Sequence, residues 1–132
     1  MRPSPLRLQF GLLIALSAIA LPLFAHHGPG IFDSSETVTV TGTVTEFQFV
    51  NPHVLIFLDV VDEQGNSVQW GGELTSPNRL ARMGTAVKWH RNILEPGQRI
   101  EMTGHPARNG APALSVTRII DTEGLVLIGA QE

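Results

Sequence analysis

Between Thr37 and Val50 the apolar residues hold one parity and then exchange it: Val38, Val40 and Val44 fall on one side of an alternating pattern, Phe47 and Phe49 on the other. Alternation at a period of two is a strand, and in a strand a single extra residue sends every later side chain to the opposite face. The switch near Thr45-Glu46 therefore requires a β-bulge or a strong bend. A long first strand that bends is how a small sheet begins to curl towards closure.

The rest of the chain carries the same signature. Turn residues recur about every 8 to 15 positions, no internal repeat or low-complexity tract is visible, and the pattern is that of an all-β domain. His53 to Val61 (HVLIFLDVV) is apolar on both parities, which fits a strand buried on one face and partly covered on the other. Asp62-Glu63-Gln64-Gly65-Asn66 has hairpin-turn composition and returns the chain into Ser67 to Leu74, where Val68, Trp70 and Leu74 share a parity. Ser76-Pro77-Asn78 predicts a helix start, with Ser76 as N-cap and Pro77 at the first helical position. Leu80 and Met83 give that helix a narrow apolar stripe over roughly two turns, and Gly84 can end it.

Glu95-Pro96-Gly97-Gln98 turns into a strand at Arg99 to Gly104, with Ile100 and Met102 inward. A polar loop, His105 to Gly110, separates it from Ala113 to Ile120, where Leu114, Val116 and Ile120 share one side. Leu125 to Ile128 adds a short terminal strand. Three strands, a helix and two strands, with a bent first strand, is the order of an OB-like five-stranded Greek-key barrel (β-β-β-α-β-β). The competing open β-sandwich needs more strands than the sequence supplies.

The N-terminal segment is read separately. Arg2 and Arg7 precede a nearly unbroken apolar run from Phe10 to Leu21, and Pro22-Leu23-Phe24-Ala25 ends it on a small residue suited to signal peptidase. The run is short for a membrane span, which needs about 20 apolar residues. The expected organisation is a signal peptide at 1–25, an irregular arm at 26–36 and an OB-like barrel domain at 37–132, with a periplasmic or secreted location. An uncleaved N-terminal anchor is the alternative, since Leu23 is unusual for the −3 position.

Composition narrows the partners. Cleavage after Ala25 would remove two of the nine Lys+Arg and none of the twelve Asp+Glu, taking the net charge from −3 to −5. An acidic chain lacks the basic patch that phosphate binding requires, so no nucleic-acid partner is expected. Anionic membrane surfaces are disfavoured for the same reason, and no stable membrane insertion is expected after cleavage. The chain has no Cys, which excludes disulfides, thiolate metal sites, thiol catalysis and a lipidated-Cys anchor. There is no Gly-x-Ser-x-Gly elbow, His-Glu-x-x-His helix or phosphate-cradling Gly loop, and the expectation is a non-catalytic protein.

Several short motifs point to one family. Ala25-His26-His27, Asn51-Pro52-His53, Trp70 with Glu73, Ser76-Pro77-Asn78 and Leu94-Glu95-Pro96-Gly97 together resemble an uncharacterised family of small exported bacterial proteins, a domain of unknown function. Its members typically read Ala-His-His-Ser where this chain has Gly28, and an aromatic residue then Thr where it has Phe49-Val50. The resemblance spans nearly all of the mature chain and implies no activity.

Two kinds of site are consistent with these residues. The first is a binding face for a small ligand or an envelope protein, with Asn51, His53 and Trp70 as candidates, because OB barrels bind on the face flanked by the first and fourth inter-strand connections. Asn51-Pro52-His53 is equally a plain turn, and Trp70 alternates with core residues. Glu73 and Arg79 read most simply as solvated residues, and Trp89 is a candidate to cover the barrel's open end. The second is a metal site. A mature N-terminal His26 offers an amine and an imidazole nitrogen, His27 a mode through the amine, the intervening amide and its own ring, and His53 or His105 a third ligand. That ligand set, though not the fold, is similar to histidine-brace copper proteins, and the candidate cofactors are Cu(II) or Zn(II). A disordered N-terminal His-His is the plain alternative.

Overall fold

A computed structural model describes residues 30–129. The expected leader and the candidate ligands His26 and His27 lie outside the described residues. The elements are β1 (Val38–Gln48), β2 (Leu55–Val61), β3 (Ser67–Glu73), a single helical turn α1 (Pro77–Leu80), β4 (Arg99–Pro106), β5 (Ala113–Asp121) and β6 (Val126–Ile128). The sheet runs β3-β2-β1-β4-β5-β6, and a parallel pairing of β3 with β5 closes the first five strands into a barrel. This is the expected OB-like architecture, with one added strand.

The bend in β1 falls where the parity switch placed it. Val44 pairs with Leu58 and Glu46 with Phe57, so Thr45 is the extra residue, and its hydroxyl donates to the Phe57 carbonyl at 3.2 Å. Val40 and Val44 face the core before the bulge, and Phe47 packs on it afterwards. The β2–β3 hairpin is set by its turn. The Asp62 amide donates to the Asn66 carbonyl at 2.9 Å, the Asp62 carboxylate accepts from the Gln64 and Asn66 amides at 2.9 and 2.8 Å, and Gly65 takes the positive φ of 85°. From that turn the ladder continues unbroken to Leu55 opposite Glu73.

Closure is brief. Only Gly71, Gly72 and Glu73 pair with β5, at Ala113, Leu114 and Ser115. Further along the same edge of β5, β6 takes over, with Ile128 opposite Ile119 and Val126 opposite Ile120. The interior is filled by Ile56, Leu58, Ile100, Met102, Leu114 and Ile119, all essentially inaccessible to solvent.

Several boundaries differ from expectation. β2 begins at Leu55, leaving His53 in the connection, and β4 extends to Pro106, so His105 belongs to the strand and does not begin a loop. In the second half of β5 the buried residue is Ile119, not Ile120. The ladder passes from Thr103 opposite Arg118 to Gly104 opposite Val116, so Thr117 is a bulged residue that shifts the parity. α1 is one turn where two were expected, Ser76 makes no side-chain cap hydrogen bond, and Met83 is 43% exposed. Val68 stands opposite Val60 but is 40% exposed, because β3 is unpaired on its other edge there. Trp89 is buried in the core: its indole N–H donates to the Leu127 carbonyl at 3.2 Å, and its ring lies 6.4 Å from that of Phe47. Among the described residues no helix is long and apolar enough to cross a membrane.

Candidate functional site

The β1–β2 connection is folded onto the end of the following hairpin. The Val54 amide donates to the Thr75 carbonyl at 3.2 Å and the Leu74 amide donates to the Val54 carbonyl at 2.9 Å, and Val54 itself is fully buried. The Asn51-Pro52 peptide is cis, and Asn51 is exposed in the turn. With Val54 anchored, His53 stands beside the last residue of β3. Its Nδ1 lies 3.1 Å from Glu73 Oε1 and 3.2 Å from the Leu74 carbonyl oxygen, a position from which one N–H can be shared between two acceptors. The side chains are 37% and 30% exposed. A pair this accessible adds little to stability. Its consequence is orientation: each partner holds the other in place.

This pair borders a groove of about 350 Å³ between the end of β3, α1 and β5. Arg79 and Ser115 complete its polar rim, while Leu74, Val116 and Ile128 supply apolar wall. Glu73 and Ser115 are direct neighbours in the parallel β3–β5 pairing. Thr75 and Met83 also line the groove.

Of the three ligand-binding candidates, His53 alone lines this groove. Asn51 sits apart in the turn, and Trp70 faces inward opposite Leu58, half-buried against the core. Glu73 and Arg79, which the sequence presents as solvated residues, are the groups sequence reasoning missed. The hairpin held a usable signal. Counting outward from the 62–66 turn puts Leu55 opposite Glu73, and hence His53 one step diagonal to it.

His105 is placed differently. Its Nδ1 is 2.7 Å from the Glu36 carbonyl oxygen, and its backbone neighbours Ser115 on β5. Because Ser115 in turn neighbours Glu73, His105 and Glu73 stand two strand spacings, about 10 Å, apart. His53 and His105 thus flank one end of the barrel, each with its own partner. Among the described residues no three His, Asp or Glu side chains gather as a metal site.

Residues 30–36, preceding β1, are docked at the C-terminal end of β4. Phe32 bridges Ala107, the Asp33 amide donates to the Pro106 carbonyl and the Arg108 amide to the Ile31 carbonyl, both at 2.8 Å. The Asp33 carboxylate accepts from the Ser35 hydroxyl at 2.7 Å and the Ser35 amide at 3.1 Å, and faces the Arg108 guanidinium at 3.4 Å. These bonds, with the charges of Arg108 and His105, hold its pKa below the ordinary 3.8.

Strand order, closure and the position of α1 between β3 and β4 define a small OB-type barrel protein with a mixed polar and apolar groove beside its first connection. The chain belongs to the family of unknown function DUF6152, whose profile matches residues 14–114. That span includes His53, Glu73, Arg79 and His105. No curated protein matches the sequence.

Proposed function

We propose that this protein is an exported, non-catalytic binding module that takes a small ligand, or a short segment of an envelope protein, into the groove bordered by His53, Glu73 and Arg79. The observation that carries the reading is the His53–Glu73 pair: two titratable side chains from separate elements held against one another at the rim of a concave site. The charged n-region and apolar run of residues 1–25 support export. The test is residue-resolved. Mature protein recovered through its own leader is titrated with size-fractionated periplasmic extract, and amide shifts concentrated at His53, Glu73, Thr75 and Ser115 are expected. If no fraction moves those amides, or if the shifts spread over unrelated strands, the groove is not the binding site. The same preparation weighed by mass spectrometry should begin at His26; an intact Met1 would remove the cleavage reading in favour of an uncleaved anchor.

A second reading, binding of Cu(II) or Zn(II), is favoured by the hydrogen bond between His105 and the Glu36 carbonyl. With Nδ1 as the donor, the neutral ring presents Nε2 as a ligand, the arrangement that outer partners impose on metal-binding imidazoles. A chain beginning at His26 has four residues before Gly30, a reach of roughly 14 Å. His26, with His27, would supply the terminal nitrogens, and His105 or His53 a third ligand. Cu(II) titration of authentic mature protein against a form with one extra N-terminal residue tests it: equal affinities exclude the N-terminal mode, and an unchanged affinity in His105→Ala excludes that ring.

A further inference from the structure

Resting on the groove reading above, we infer that the groove selects small organic carboxylates carrying a short aliphatic chain, with Arg79 as the counter-charge. The argument begins with what each charged group at the rim already has. Glu73 is held by His53 at 3.1 Å. The Arg79 guanidinium makes no hydrogen bond or ion pair among the described residues, and the residue is exposed on α1. The rim therefore offers a guanidinium without a carboxylate, beside a carboxylate already engaged. An incoming anion meets an uncompensated donor fork, and guanidinium matches carboxylate geometry through two parallel N–H bonds.

The remainder of the groove fits the other half of such a ligand. Met83 follows Arg79 by four residues and lines the same groove, although it is 43% exposed. An exposed thioether over a concave site is an adaptable apolar contact. Leu74, Val116 and Ile128 supply the rest of the groove's apolar wall. The Ser115 and Thr75 hydroxyls have no side-chain hydrogen bonds among the described residues and line the groove with Arg79, so they can donate to a second carboxylate lone pair. At about 350 Å³ the space is at the small end of ligand sites.

The probes are hexanoate, hexylamine and hexanol, each titrated into the mature chain by amide and methionine-methyl NMR. Hexanoate should shift Thr75, Ser115, Val116 and the Met83 methyl saturably, and bind at least tenfold tighter than the other two. Arg79→Gln should lower hexanoate affinity at least tenfold and Arg79→Lys should restore part of it. Arg82→Gln, three residues on and outside the groove lining, should change nothing; its spectrum and that of Arg79→Gln also confirm folding. Hexylamine or hexanol binding as tightly as hexanoate overturns the carboxylate class and leaves the groove reading standing. Hexanoate binding that Arg79→Gln does not weaken overturns the role of Arg79. Failure of hexanoate to shift these residues overturns the proposal; if extract fractions also leave them unmoved, the groove reading falls with it.

Discussion

Trp89 brings the one polar atom of its indole into the core and satisfies it there, on the Leu127 carbonyl. It lies in the irregular connection between α1 and β4, a stretch of the length that usually needs internal anchors. Trp89 and Leu94 are those anchors, both buried. Trp89→Phe keeps the ring contact with Phe47 but strands the carbonyl of a buried β6 residue, and the expected cost is about 1–3 kcal/mol. Urea unfolding should show a lower midpoint with an unchanged slope; a midpoint equal to wild type would mean that the carbonyl finds another donor. That Trp89 is interior is hard to read from Lys88, His90 and Arg91 around it, because an isolated aromatic among charged residues gives no period. His53 and Glu73 are different. Their proximity follows from the hairpin register, which a well-specified turn makes countable. The individual character of Glu73, solvated by alternation, concealed it: outward-facing residues at a strand end can still be met by a neighbouring connection.

At the scale of elements, the features that were legible are those in which the residues themselves break a period. The β1 bulge announces itself because Val44 and Phe47 are both apolar and of opposite parity. The bulge at Thr117 does not, because Ile119 and Ile120 are both apolar and either could be the inward residue. The helix start was legible in Ser76-Pro77, but its length was not. A short helix is held by packing and not by propensity, and only Leu80 of the expected stripe is buried. β4 outruns its expected end because Gly104 lets β5 approach. A Cβ at that position would press on the Ser115 carbonyl, which is backbone and cannot rotate away. Gly104→Ala should therefore destabilise by about 1–3 kcal/mol and weaken amide protection at His105 and Ser115 more than at β2. Uniform loss of protection across the barrel would instead mean that the strain is shared globally.

Over the whole molecule, the barrel and its arm are joined at one end. β3 and β6 divide one edge of β5 between them, while the 30–36 arm lies against the far end of β4. The arm was expected to be irregular. Its docking was not legible, since it rests on backbone bonds and on a single carboxylate, Asp33, that faces Ser35, Arg108 and His105. That carboxylate makes the docking sensitive to acid. Hydrogen bonds from the Ser35 hydroxyl and amide, in that order, lower its pKa below 3.8, and the positive charges of Arg108 and His105 add to the effect. A folded pKa below the unfolded one means the contribution is present at pH above about 4 and is lost as pH falls through the depressed value. The Ser35 amide and the Arg108 amide, which is bonded to Ile31, should therefore show a common chemical-shift transition below pH 4, with the barrel amides of β2 unaffected. Asp33→Asn should abolish that transition, and Arg108→Ala should move it up towards the ordinary carboxylate range. Persistence of the same transition in Asp33→Asn would show that another acid holds the arm.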